Sequence, residues 1–273
     1  DNSIPSVSFV LPTQNDTANV SVNWTFVNVT VSVSNEANIT FRLYNATHGL
    51  LNSSVFTDAT RIINFTSLVD GDYYYNVTLF DLAARNDSTE TRLIRIDTVS
   101  PLITYGLGME PNDSNVSKDW IFVNVTVTDL YPKNFSFDLR NETLDVINQS
   151  WVNYSNSSFN YTSLSDGRYY FSVTAYDWSG NTNTTTLYKI TLDQTAPNAT
   201  LISPANNTYT NQTSQNFTVN VTDSIELSNV TLYIYNATGQ LINQTTYYIS
   251  GGVQALIGIV YEFLYDGIFT WFF

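Results

Sequence analysis

Acidic residues outnumber basic ones by 24 to 10, Cys is absent and His48 is the lone histidine, so chemistry in this chain has to be sought among carboxylates. His48 lies in an Asn-Ala-Thr-His-Gly turn, and with no Cys and no Ser-His-Asp order a nucleophilic triad is not available. Paired carboxylates can hydrolyse a glycosidic bond. The acidic positions that recur, however, are Asp70, Asp166 and Asp266 in one set and Asp81 and Asp177 in another, all in turns, where a carboxylate caps backbone amides. The expectation is a protein that is not an enzyme, without catalytic or cofactor-binding residues. Calcium is the one ligand the carboxylates suggest. Asp97 and Asp193 fall at joints between repeated units, with Asp129 and Asp223 after the second strand of their units, and together they would offer oxygens to an ion that stiffens a rod. No ligand-dense Asp-x-Asp-x-Asp loop is present and turn capping accounts for the same residues, so no metal ligand is assigned and structural calcium stays an open alternative.

Asparagine carries the denser signal. Of 32 asparagines, 28 sit in Asn-x-Ser/Thr, where random placement would give about 8. In the first third of the chain these are Asn15, Asn19, Asn23, Asn28, Asn38, Asn45, Asn52, Asn64, Asn76 and Asn86. The middle third has Asn112, Asn115, Asn124, Asn134, Asn141, Asn148, Asn153, Asn156, Asn160 and Asn183, and the last has Asn198, Asn206, Asn211, Asn216, Asn220, Asn229, Asn236 and Asn243. Such an excess predicts a secreted, densely N-glycosylated protein. Charged residues make up only 12% of the chain, so glycans would supply the hydration that ions do not. The net charge of −14 argues against nucleic acid and anionic membranes, because no basic patch exists to release counterions. Tyr247 to Phe273 is the most apolar run, but Glu262, Asp266 and an Asp-Gly turn interrupt it, which speaks against membrane insertion in this segment. With neither an initiator Met nor a signal peptide ahead of Asp1, the expectation is a mature product or part of a longer chain.

The elements that position these residues are repeated. NFTSLVDGDYYYNVTLFD from Asn64 returns 96 residues later as NYTSLSDGRYYFSVTAYD, and EFLYDGIFTWFF from Glu262 is a third copy. Linkers recur at the same spacing as DNSIP at Asp1, DTVSP at Asp97 and DQTAP at Asp193, each extended by its proline. The domains so delimited are 1–97, 98–193 and 194–273, the third lacking the last strand of the others. Within each unit the period is two. Val27, Val29 and Val31 share one face against Asn28 and Thr30, and Val123, Val125 and Val127 oppose Asn124 and Thr126. After the Asp-Gly turn, Tyr73, Tyr75, Val77 and Leu79 fall on one face, as do Tyr169, Phe171, Val173 and Ala175. About seven short alternating strands per unit indicate an all-β fold of tandem immunoglobulin-like antiparallel β-sandwiches, with an aromatic placed as in a tyrosine corner. Trp24, Phe26, Trp120 and Phe122 share the parity of the sequon face, which suits packing on the protein's own glycans or, alternatively, stacking on foreign sugar.

The Leu-x-Asp-Gly-x-Tyr pattern, the DLAARN and DWSGN turns at Asp81 and Asp177, and the Asp-x-x-x-Pro linkers resemble the Ig-like tandem repeats of large, Asn- and Thr-rich archaeal and bacterial cell-surface proteins. Ala84 and Arg85 stand in place of the usual Gly in the first unit. The resemblance implies stalks, filaments, adhesins or surface layers, not one activity. The expected function is a non-enzymatic extracellular structural array forming a surface filament, stalk or lattice, with an adhesin or carbohydrate-binding module as the alternative. Expected partners are copies of itself or further repeats, touching along the sequon-free stretch between Asn86 and Asn112 and the flank after Asn243, and cell-surface or environmental glycans.

Overall fold

The computed structural model describes residues 4–273; the first three residues of the linker at Asp1 lie outside them. Every regular element among the described residues is a strand. The first unit contains β1 (Ser6–Phe9), β2 (Ala18–Val20), β3 (Thr25–Ser32), β4 (Glu36–Asn45), β5 (Leu50–Phe56), β6 (Ile62–Phe65), β7 (Gly71–Asp81), β8 (Asn86–Ser88) and β9 (Arg92–Ile96). They form one sheet in the order β1-β3-β6 and a second in the order β2-β9-β7-β4-β5, with β8 on β7. Alternation sets the faces: Val27 and Val29 of β3 point inward with Phe41 and Leu43 of β4 and Tyr75, Val77 and Leu79 of β7, all buried.

The second unit repeats this arrangement. Its elements are β10 (Leu102–Tyr105), β11 (Ser114–Val116), β12 (Ile121–Thr128), β13 (Pro132–Arg140), β14 (Val146–Asn153), β15 (Ser158–Tyr161), β16 (Gly167–Asp177), β17 (Thr182–Thr184) and β18 (Tyr188–Leu192). The sheets are β10-β12-β15 and β11-β18-β16-β13-β14, with β17 on β16. Phe135, Phe137, Leu139, Phe171 and Ile190 fill a second, separate core. The third unit packs β19 (Asn198–Ser203), β20 (Ser214–Thr222) and β23 (Gln254–Glu262) against β21 (Asn229–Asn236), β22 (Leu241–Tyr248) and β24 (Phe269–Phe272). Its core is centred on Phe217, Leu232 and Ile234, with Trp271 packed on it. Each unit is an immunoglobulin-like β-sandwich.

In the first two units nine strands replace the seven expected, and the third has six. The two extra ones, β2 and β8 and their counterparts β11 and β17, are three residues long, too short to show a period. β2 also runs parallel to β9, and β11 to β18, so the sandwiches are not purely antiparallel. The tyrosine corner is present twice: the Tyr73 hydroxyl donates to Val69 O at 3.0 Å and that of Tyr169 to Ser165 O at 2.9 Å. Phe269 takes the matching place in the third unit and packs instead on Phe263, ring centroids 4.2 Å apart. Among the described residues β24 pairs with β21 alone, whereas β7 and β16 are flanked on both sides.

Candidate metal centre and sequon faces

The sequon asparagines lie on the outer faces of both sheets in each sandwich and in the turns between strands. None of the 28 is buried; most are exposed and the rest half-buried. For two of the half-buried ones a loop supplies the cover. Asn28 and Asn124 face away from the valine core, yet the loop after the first strand of each unit folds back over them. The Asn28 side-chain amide donates to Leu11 O at 2.9 Å and that of Asn124 to Leu107 O at 3.0 Å. In the second unit Gly106 makes room for this approach: a Cβ there would stand 2.7 Å from Asn124 Nδ2 and the amide would have to shift. Trp24 and Trp120 are exposed on this side, and the Lys118 ammonium sits 3.6 Å from the Trp120 ring centroid. His48 stacks on Tyr74 with centroids 4.1 Å apart, in the turn where the sequence places it.

Of the recurring aspartates, Asp81 and Asp177 cap their own turns, as their positions imply. Asp81 Oδ1 accepts from the Ala83 and Arg85 amides, both at 2.9 Å, and Asp177 Oδ1 from the Asn181 amide at 2.8 Å. The two turns share one shape, because Ala84 adopts the left-handed conformation (φ 61°) that Gly180 takes at φ 93°. Asp70 Oδ1 accepts from the Thr98 amide at 3.0 Å and Asp166 Oδ1 from that of Gln194 at 2.8 Å, so each Asp-Gly turn holds the linker that leaves its own unit.

At the joint between the first two units this capping brings three carboxylates together. Asp97 follows β9, Asp129 follows β12 and Asp177 ends β16. One oxygen of each lies within 4.8 Å of the others. Asp97 and Asp177 are each 1% exposed and Asp129 is half-buried. Each uses Oδ1 as a cap: Asp97 accepts from the Val99 amide at 3.3 Å and Asp129 from the Tyr131 amide at 2.8 Å. Asp97 Oδ2 is buried with no hydrogen-bond partner. Asn181 Nδ2 donates to Asp177 Oδ2 at 2.7 Å and to Asp97 O at 2.8 Å, tying turn to linker. The Tyr131 hydroxyl reaches back to Asp72 of the first unit. Burial pushes the Asp97 carboxyl up to about 6 against the Val99 amide, with Asp129, Asp177 and Asp70 adding to the rise. Burial also raises Asp129, with Asp177 contributing.

The second joint differs. Among the described residues Asp193 and Asp223 belong to no cluster of three carboxylates; instead the Ser224 hydroxyl lies within 3.0 Å of Asp166 Oδ2 and 3.2 Å of Asp193 Oδ1. Of the four aspartates singled out for calcium, the structure therefore brings together Asp97 and Asp129 and leaves Asp193 and Asp223 out. Asp177 joins the first pair, a residue whose sequence position signals only a turn cap.

No family model and no curated protein sequence matches the chain. Among solved structures it is similar to the fibronectin(III)-like modules of Clostridium thermocellum CbhA, at 16% identity and a TM-score of 0.37 over 68% of this chain and 93% of that one. It is also similar to the chicken CNTN1 FN1-FN3 domains, at 12% identity and a TM-score of 0.34 over 66% of each chain. Dimeric latent PorU from Porphyromonas gingivalis overlaps at 11% identity and a TM-score of 0.27, over 98% of this chain and 32% of that one. Superpositions this loose assign no activity; the fold rests on the strand pairings themselves.

Proposed function

We propose that the chain is a non-enzymatic, extracellular structural array whose three sandwiches are sheathed in N-linked glycan and assemble into a surface filament, stalk or lattice. The observation that carries this reading is that 28 sequons are spread over both sheets of every unit without one asparagine being buried. With 15298 Å² of accessible surface, full occupancy amounts to one glycan per ~550 Å², which leaves little bare protein. Such a coat hydrates a surface poor in ions and shields strands from proteases. The test is glycopeptide mass spectrometry on material from the producing cell together with electron micrographs of its surface. Glycan masses on asparagines of all three units and extended assemblies are expected. Bare sequons, or isolated globular particles, would reject the reading.

An adhesive module is the second reading, favoured by Trp151, 55% exposed and leaning on Tyr176 with centroids 5.1 Å apart. Exposed aromatic faces of this kind stack on sugar rings. Saturable signal on a glycan array that vanishes in Trp151→Ala selects it; no signal discards it.

A further inference from the structure

The repeat contains its own control for the carboxylate cluster. In the first unit, Arg85 occupies the place of Asn181 and Val33 that of Asp129. There the buried Asp81 is paired with its own cation, Arg85 Nε to Asp81 Oδ2 at 2.7 Å. In the second unit the arginine is gone, an additional aspartate is present, and Asp97 enters from the preceding strand. Three formal negative charges therefore converge where, among the described residues, the first unit has a neutral pair. The nearby cations are engaged elsewhere: Arg95 pairs with Asp72 at 3.6 Å and Lys133 lies over the Trp178 ring at 5.1 Å. Asp70, the remaining carboxylate that bears on Asp97, accepts from the Thr98 amide and hydroxyl. A buried charge needs a partner or a metal, and Asp97 Oδ2, fully enclosed, has neither from the chain.

We propose that Asp97, Asp129 and Asp177 hold a divalent cation of the calcium class that ties the end of β9 in the first unit to two turns of the second. The chemistry of the donors selects the ion. All three are carboxylates, with no His or Cys among them, which favours a hard cation over zinc or copper. Oxygens within 4.8 Å of one another can be drawn onto one ion at calcium–oxygen distances of about 2.3–2.6 Å. Calcium accepts the irregular coordination that three turn-capping carboxylates and water provide, where magnesium demands an octahedron. The proposal stands whether or not the sequons are occupied. The competing account is that the cluster shares a proton and binds no metal.

The test uses the full chain stripped with chelator. Calorimetric titration with calcium chloride is expected to show one site, with a dissociation constant of about 10⁻⁵ to 10⁻³ M, and saturating calcium to raise the melting temperature by ~5 °C. Terbium should give luminescence sensitised by Tyr131 and Trp178 that calcium competes away. The double variant Asp129→Val with Asn181→Arg, which installs the residues of the first unit, should lose both signals. Asp129→Asn, close in shape to the native residue, should weaken calcium binding at least tenfold and guards against misfolding of the double variant. The proposal is overturned if the stripped chain takes up no calcium at 10 mM, or if Asp129→Asn binds as the parent does.

Discussion

The turn after β7 and the turn after β16 have the same backbone and opposite electrostatics. Both place an aspartate at the end of the long aromatic strand, cap its carboxylate with amides of the turn and pass through a left-handed residue. In the first, burial pushes the Asp81 carboxyl upward but the Arg85 and Ala83 amides and the Arg85 guanidinium more than offset it, and its pKa stays below the ordinary carboxylate range. In the second unit, neighbouring carboxylates help to raise Asp97 and Asp129. The lesson is that a repeat preserves the frame and varies the charge: the same turn closes on itself with an internal cation in one unit and opens onto a neighbouring unit in the next.

If the units differ only there, their cores should respond alike. Phe41 and Phe137 are both fully buried at matching positions of β4 and β13, so Phe41→Ala and Phe137→Ala should each cost about 3–5 kcal/mol in chemical denaturation; a gap of more than half between them would break the equivalence. At the turns the responses should diverge. Arg85→Ala leaves Asp81 without its cation and should lower the melting temperature by several degrees irrespective of calcium, whereas Asn181→Ala should do so chiefly in chelator. Equal losses in both media would remove the distinction.

The pH dependence sharpens it further. Asp97 has a folded value of about 6, above that of an unfolded aspartate, so the folded state takes up the proton first. Its contribution is complete at low pH and is lost as pH rises through 6. In chelator, stability should therefore increase on acidification from pH 7 toward 5, by ~1 kcal/mol, and calcium should abolish the increase. Asp81 has the opposite sign: its lowered value makes it lose stability as pH falls through the acidic range. Thermal melts from pH 4 to 8 with and without calcium separate the two. The smallest effect concerns the corners. Tyr73→Phe and Tyr169→Phe each remove one hydrogen bond to a backbone carbonyl, worth about 1 kcal/mol, and a matched pair of losses would confirm that both corners do the same structural job.

Much of this was legible in the residues because alternation and turn chemistry are local. The valine parity of β3 and β12, the aromatic parity of β7 and β16 and the hydroxyl of Tyr73 all follow from period two and an Asp-Gly turn. What escaped was non-local or too short. β2 and β8 have three residues each and take their conformation from the strand beside them. Asp177 reads as a turn cap in sequence and is one; only the approach of Asp97 from the preceding unit, 80 residues earlier in the chain, adds a second possibility. Asp193 and Asp223 carry the same linker and post-strand positions as Asp97 and Asp129, yet Ser224 places a hydroxyl between the carboxylates of Asp166 and Asp193, a contact no spacing rule anticipates. The half-burial of Asn28 and Asn124 likewise depends on a loop whose path is set by tertiary packing.

The short parallel pair of β2 and β9 matters once the array bears load. Ala18, Asn19 and Val20 lie opposite Ile94, Arg95 and Ile96, and the Asp97 amide donates to Val20 O at 3.0 Å. Because the strands run the same way, tension entering at the start of β2 and leaving at the end of β9 slides one along the other, so the rungs must yield together, not one by one from an end. The same geometry recurs in β11 and β18. A pulling force on this chain therefore meets shear-resistant clasps in series, the first of which lies immediately before Asp97.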